Sequence, residues 1–323
     1  MPIKLIIQIP CYNEEASLPR ALAELPREIS GVDIVEWLII DDGSSDKTVE
    51  TAINLGVHHV VRHPRNLGLA KAFMSGIEAC ISLGADIIVN TDADNQYCAA
   101  DIPGLIAPLL AGECDMVIGA RPITSIEEFS WIKKRLQLLG SWMLRVASGT
   151  GVADAPSGFR AISRKAAMRM NVFNDYTYTL ETIIQAGYNG LSIKSVPVRV
   201  NKSIRPSRLV KSISSYVIRS IGTILRILMV YRPLKFFLAL GSIPFTLGFA
   251  IGVRFVVYYA IGQGDGKVQS LILASLLMSV GVLLFVLALV ADLIAVNRRL
   301  LEKLESRIRL VEERLPGRRE NNR

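Results

Sequence analysis

Two carboxylates one residue apart, Asp92 and Asp94, follow the apolar run Ile87-Ile88-Val89 in the stretch IIVNTDADNQ. Acids placed just beyond an apolar strand sit where an open parallel sheet collects its ligands. Two hard oxygen donors at that spacing can share a divalent ion that keeps positions open for substrate phosphates, which is metal-diphosphate chemistry. An Asp-rich turn capping the next helix uses the same residue types. The surroundings must decide between the two.

Those surroundings repeat one pattern. Residues 3–9 form an apolar run that stops at Pro10 and feeds the loop Cys11-Tyr12-Asn13-Glu14-Glu15, followed by a helical pattern from Ser17 to Ile29. A second strand, Val35 to Ile40, is closed by Asp41-Asp42-Gly43-Ser44-Ser45-Asp46, a turn with N-capping residues for a helix through Leu55. Val57 to Arg62 makes a third strand, Asn66 to Lys71 a loop, and a helix then runs to Leu83. The strand before Asp92 is fourth, and Asp115 to Ala120 is fifth. Strands alternating with helices of about three turns predict an α/β domain with a doubly wound, mostly parallel sheet. Polar or acidic residues repeatedly fall just after a strand.

Further on, residues 125–148 read as a long amphipathic helix carrying Lys133, Lys134, Arg135 and Arg145. A tight loop is expected over Asp154 to Arg160, where Arg160 either joins the site or pairs with Asp154. A helical segment with Glu181 and a strand from Leu191 to Val200 close the domain near residue 208.

Half of the 323 residues are hydrophobic and the net charge is +8, but neither is spread evenly. Phe236–Tyr259 and Val268–Ala291 are apolar runs of 24 residues each. As helices they reach about 36 Å, more than the roughly 30 Å hydrocarbon core of a bilayer. The only charge in the two runs, Arg254, lies near the far end of the first, where it can snorkel. Nine Lys or Arg and no acid fall between Arg199 and Lys235, and nine basic against five acidic residues follow from Asn297. Basic blocks abutting spans face anionic headgroups and the cytosol rather than nucleic acid. The expectation is therefore a multi-pass hairpin in the cell membrane, with the large domain and both termini cytoplasmic. Segment 209–232 has the spacing of helices lying in the interface. Beyond the hairpin, Leu300, Leu301, Leu304, Ile308 and Val311 make an apolar stripe that can lie on the membrane or pair subunits in a homo-oligomer, ahead of a tail that reads as disordered from Pro316. The four cysteines and three histidines show no metal-ligand spacing, and His58, His59 and His63 read as structural.

PCYNEE at 10–15, DDGSSDKT at 41–48, NLGLAKA at 66–72, DADNQ at 92–96 and SGFR at 157–160 together resemble the family 2 glycosyltransferases, and within them the dolichyl- or polyprenyl-phosphate sugar synthases. The resemblance covers residues 1 to about 210, and the two-span hairpin matches membrane-anchored members. It implies a GT-A fold binding a nucleotide-sugar donor, with Mg2+ or Mn2+ as cofactor and a polyprenyl or dolichyl phosphate as acceptor. Pro10, Tyr12, Glu14 and Asp41 fall where the family holds base and ribose; Asp92, Asp94 and Gln96 fall at its metal and diphosphate site. Arg160 is a further candidate on the donor side, and Asp94, Arg121 and Arg135 are the catalytic candidates. Arg121 and Arg135 match positions used for the acceptor phosphate. The family's Arg-x-x-Gly-x-Ser-Lys segment stands here as Lys202-Ser203-Ile204-Arg205-Pro206-Ser207-Arg208, without its Gly, so Lys202, Arg205 and Arg208 are acceptor-phosphate candidates whose separate roles stay open. That departure from the mannosyl pattern favours a UDP-sugar, glucose or N-acetylhexosamine, over GDP-mannose.

Two other classes compete. A processive polysaccharide synthase would carry a Gln-x-x-Arg-Trp element and more spans; Trp37, Trp131 and Trp142 sit in no such element. A non-catalytic nucleotide-sugar-binding scaffold has no need to retain the whole acid set.

Overall fold

A computed structural model describes residues 2–122, 151–170, 178–201, 222, 225–226, 228–262, 266 and 268–314. Arg135, Lys202, Arg205 and Arg208 lie outside the described residues, as do segment 125–148 with Lys133, Lys134 and Arg145, most of 209–232, and the tail from Pro316.

Seven strands make one sheet: β1 (Lys4–Cys11), β2 (Ile34–Asp41), β3 (His59–Arg62), β4 (Ile87–Asn90), β5 (Met116–Ala120), β6 (Arg160–Ser163) and β7 (Ile193–Pro197). Their order is β3-β2-β1-β4-β6-β5-β7. The centre of β1 is apolar on both faces because both are covered, and Leu5, Ile6, Ile7 and Ile9 are fully buried. Helix α1 (Leu18–Ala23), α2 (Thr48–Asn54) and α3 (Leu69–Ser82) follow the first three strands. A 3-10 turn at Ala99–Asp101 leads into α4 (Ile102–Leu110). α4 carries Pro103 near its start, where no amide bond is lost, and Pro108 inside it. α5 (Arg164–Ala167) and α6 (Tyr178–Tyr188) complete this part.

Two features of the sheet position the site. The chain winds from β1 outward through β2 and β3, then returns to place β4 on the other side of β1, so the order reverses between β1 and β4. Crevices at such reversals, beyond the carboxyl ends of the strands, are where α/β sheets bind ligands. The second feature departs from the sequence reading. Residues 157–160 were expected to be loop throughout, but Arg160 opens β6, which runs antiparallel between β4 and β5. Four residues are too few to show a period, and the strand is recognised only once its neighbours are placed. Because β6 is antiparallel, its first residue, Arg160, lies opposite Asn90 at the end of β4. The loop entering β6 therefore lies at the same edge as the loop leaving β4.

The chain forms two compact units, Met1–Val217 with Ser306–Arg323, and Ile218–Glu305. The second is a helical hairpin. Helix α7 (Pro233–Ala260) and α8 (Val268–Arg314) each contain an 18-residue stretch, of mean hydropathy 2.0 and 2.8, and are long and apolar enough to cross a membrane. Small residues let the two backbones approach. A Cβ on Gly241 would lie 2.9 Å from Leu284 Cβ, and one on Gly248 would lie 2.8 Å from the carbonyl of Ala274. Ala274, Ala288 and Ala295 are buried, while Leu283, Leu289 and Leu293 point outward. α8 does not stop after the apolar run but continues as one helix to Arg314.

Candidate active site

Three loops at the carboxyl edge of the sheet build the site. The first two are fastened to each other. Asp42 N donates to the Cys11 carbonyl at 2.9 Å, Asn13 N to Ser44 Oγ at 2.9 Å, and Glu14 N to Thr48 Oγ1 at 2.9 Å. In return, Ser45 N donates to Asn13 Oδ1 at 2.8 Å. Asn13 adopts a left-handed backbone (φ 54°), a conformation that asparagine tolerates better than most residues. Pro10 is the last residue but one of β1 and Asp41 ends the adjacent β2, with Tyr12 exposed and Glu14 buried in the loop that follows; Glu14 accepts from the Ser17 hydroxyl. Asp41 is buried, accepting from Ser44 N at 3.1 Å. The structure brings these four candidates for the donor side together.

The neighbouring Asp42 was not singled out by the sequence, yet it ties in the loop before α3. Its carboxylate accepts from Leu67 N and Gly68 N, both at 2.9 Å, and bonds to His63 Nδ1 at 2.8 Å. His63 Nε2 in turn lies 3.0 Å from Ser75 Oγ on α3. The expectation that His63 is structural fits this place. A buried acid two residues after an apolar run and 25 before a Leu-Gly turn offers no local signal; only the fold makes the juxtaposition.

The third loop carries the acid pair. Asp94 is exposed and accepts from Gln96 N at 3.1 Å, whereas Asp92 is half-buried with no hydrogen bond or ion pair to its carboxylate among the described residues. Burial, reinforced by Asp94, raises the Asp92 pKa to about 7, with Arg121 and Arg160 acting the other way. Gly158 lets the Ser157-Gly158 loop close over this carboxylate. A Cβ there would stand 3.2 Å from both Asp92 oxygens and 2.9 Å from Tyr178 Oη.

Behind the acid lies a buried polar network that sequence reasoning missed. Asn90 Nδ2 donates to the Gly158 carbonyl at 2.9 Å and to Tyr178 Oη at 3.1 Å, and its Oδ1 accepts from Gln8 Nε2 at 2.9 Å. Gly158 N donates to Tyr97 Oη at 3.1 Å, and Tyr97 stacks on Phe159 with centroids 5.0 Å apart. Arg160 belongs to this network. Fully buried, it donates to the carbonyls of Ser157 (2.8 Å) and Ala155 (3.0 Å) and to Thr182 Oγ1 (2.5 Å). Burial lowers its pKa to about 10, which leaves it charged at neutral pH. The alternative pairing of Arg160 with Asp154 does not occur: Arg121 takes Asp154, through Nε to Oδ2 at 2.7 Å and Nη2 to Oδ1 at 3.0 Å. Only 8% of the Arg121 side chain and 1% of the Asp154 side chain are exposed. Glu181 is buried in the first turn of α6.

The donor set can be tested against a divalent ion. Asp92 presents a carboxylate that the described protein leaves without a hydrogen-bond donor, beside a second carboxylate at the solvent edge. Among the described residues no three His, Cys, Asp or Glu side chains converge into a closed cage. Two protein carboxylates plus substrate oxygens is the arrangement a Mg2+- or Mn2+-nucleotide takes, whereas a structural metal would need more protein ligands. The residues fit the group.

A mixed sheet with a reversal between β1 and β4, two fastened loops and an acid pair at the reversal define a GT-A glycosyltransferase. Residues 6–171 match the family described as Glycosyl transferase family 2, and the chain belongs to that family. The UDP-N-acetylglucosamine–dolichyl-phosphate N-acetylglucosaminyltransferase of Methanococcus voltae is 30% identical over 225 residues, 62% of this chain and 86% of that one. The undecaprenyl-phosphate 4-deoxy-4-formamido-L-arabinose transferase of Proteus mirabilis is 28% identical over 273 residues, 81% of this chain and 80% of that one. Among solved structures, the fold is similar to that of glucosyl-3-phosphoglycerate synthase from Mycobacterium tuberculosis in complex with Mn2+, UDP-glucose and phosphoglyceric acid. The TM-score is 0.52 at 21% identity, over 69% of this chain and 79% of that one.

Proposed function

We propose that this glycosyltransferase moves a sugar from a nucleoside diphosphate donor to a polyprenyl or dolichyl phosphate at the cytoplasmic membrane face. The observation that carries the reading is the Asp92 carboxylate, without a hydrogen-bond or ion-pair partner among the described residues, beside Asp94 at the reversal of a sheet whose chain continues into two helices long and apolar enough to cross a membrane. Relatives named for polyprenyl- and dolichyl-phosphate acceptors support it. The altered basic segment 202–208 and the relative named for UDP-N-acetylglucosamine favour a UDP-sugar, glucose or N-acetylhexosamine.

In this reading Pro10, Tyr12, Glu14 and Asp41 would hold the base and ribose, and Asp92, Asp94 and Gln96 would hold Mg2+ or Mn2+ at the diphosphate site. When bound, such an ion offsets the charge that develops on the departing nucleoside diphosphate. An oxygen of the lipid phosphate forms the new bond to the sugar C1 as the bond from C1 to the diphosphate breaks, and the electron pair leaves with the nucleoside diphosphate. The lipid phosphate is already anionic near neutral pH, so no strong general base is required. Attack from the opposite face inverts the anomeric configuration. Arg160 and Asn90 keep the loop over Asp92 in place. Arg121, Arg135, Lys202, Arg205 and Arg208 are the basic residues proposed to receive the acceptor phosphate, for which arginine supplies a planar fork of donors.

The test is to incubate the purified protein with a panel of nucleotide-sugars, polyprenyl phosphate and Mn2+, and to weigh the lipid product by mass spectrometry. A polyprenyl-phosphate hexose or N-acetylhexosamine formed from a UDP-sugar is expected. A mannose product from GDP-mannose would reassign the donor, and no lipid product with any donor would overturn the acceptor. Asp94→Ala should lower turnover by about two to three orders of magnitude. Since Asp94 is exposed, its thermal unfolding should stay near wild type. Near-normal activity in that variant would remove the ion from the reaction.

A further inference from the structure

The end of α8 carries a second periodicity, distinct from the one that packs it on α7. Ala274, Gly281, Ala288 and Ala295, seven residues apart, form the small-residue face of the hairpin, and the three alanines are buried. Past residue 296 another seam takes over: Asn297, Leu301, Leu304, Ile308 and Val311 follow alternating steps of four and three. This is the spacing of a coiled-coil seam. Leu301, Leu304 and Ile308 are 63%, 56% and 57% exposed. With Leu301 and Ile308 at a positions and Leu304 and Val311 at d, Glu305 and Glu312 take e positions, and Arg307 and Arg314 take g positions.

We propose that this extension of α8 pairs in parallel with the same segment of a second copy of the chain. The charge pattern chooses the partner and its direction. In a parallel pair each g residue meets the e residue of the following heptad on the other helix, which sets Arg307 against Glu312 of the second copy, twice by symmetry. In an antiparallel pair g meets g and e meets e, so that arginines would face arginines and glutamates would face glutamates. The hairpin enforces the same choice, since two copies inserted with one orientation present their extensions side by side and pointing the same way. That second argument rests on the membrane placement of the preceding section; the charge argument does not.

Two heptads are too short to associate strongly as an isolated peptide. Here the segment continues a helix already formed through residues 268–296, so its nucleation is complete, and confinement to one membrane raises the effective concentration of its partner. Within the membrane the flanking apolar seam adds little selectivity, because lipid is as apolar as leucine. Selectivity therefore resides in residues 297–314.

The test uses the full chain, co-expressed as two differently tagged copies and purified in mild detergent, with capture through one tag and detection of the other. Arg307→Glu and Glu312→Arg should each lower co-capture about ten-fold when present in both copies. One copy carrying Arg307→Glu with the other carrying Glu312→Arg should recover wild-type co-capture, because both cross-pairs regain opposite charges. Leu304→Glu, whose site is exposed and whose fold should be unaffected, should abolish co-capture altogether. A segment that lies on the lipid surface, or packs within its own chain, gives no recovery in the mixed pair. That result, or co-capture insensitive to all three substitutions, would overturn the proposal.

Discussion

At the scale of single residues, the acid pair illustrates how one sequence motif divides into two environments. Asp94 is at the solvent edge and accepts from the Gln96 amide, whereas Asp92 is half-buried beneath the Ser157-Gly158 loop. Among the basic candidates, Arg121 is nearly enclosed and forked onto Asp154, so its loss would leave a buried carboxylate without its ion-pair partner. Arg121→Ala is therefore expected to destabilise the domain by about 3–5 kcal/mol, read as a lowered midpoint in chemical denaturation. A residue whose sole role is to grip the acceptor would raise the acceptor KM and leave the midpoint alone. The sequence matched Arg121 to a basic position but could not supply its partner, because Asp154 lies 33 residues away and becomes a neighbour only when β6 folds back beside β5.

At the scale of elements, the alternation of apolar strands and polar turns makes β1 to β5 readable in order, and the acids after β2 and β4 end up at one edge. What is not readable is β6. Its four residues gain meaning from Asn90 and Ile118 on either side, and with it the sequence also conceals the network of Asn90, Tyr97, Tyr178 and Arg160. Three elements are clamped away from the site by Asp115 at the start of β5, which accepts from Lys165 Nζ at 2.8 Å and from Ser192 N at 3.0 Å. Burial acts to raise the Asp115 pKa, but these hydrogen bonds outweigh it and hold the carboxyl below its ordinary value. A depressed carboxylate stabilises the fold above its unfolded pKa of about 3.9, and that contribution is lost as pH falls through the folded value. The stability gap between wild type and Asp115→Asn should thus be widest above about pH 5 and close as the pH is lowered toward 2. Thermal unfolding across that range measures it. A gap independent of pH would mean the carboxylate charge is not what holds β5, α5 and β7 together.

For the whole molecule, the two apolar helices were legible from composition alone, since 24 residues without a break have few other uses. The continuity of α8 through Arg314 was not, because charges enter with Asp292 and Arg298 and hide an unbroken helix behind a change of solvent. The orientation proposed above, with the sheet domain on the cytoplasmic side, rests on the basic residues on both outer flanks of the hairpin. A cysteine at Gly262, in the turn that ends α7, is expected to react with an impermeant maleimide added to intact cells. The native thiols, of which Cys11, Cys80 and Cys114 are buried in the sheet domain, should react only after lysis. Labelling in the reverse order would place the sheet domain outside.

The antiparallel course of β6 has one more result. Gly119 N donates to the Phe159 carbonyl at 2.8 Å, so the chain leaves β5 and re-enters β6 at almost the same point on the rim. The two feet of that connection, Arg121 on one side and Asp154 to Phe159 on the other, are tied by the Arg121–Asp154 pair and close over Asp92 through Gly158. Folding and chemistry are coupled by this hold: whatever loosens β6 in the sheet also loosens the cover over the acid pair, so that stability and turnover fall together.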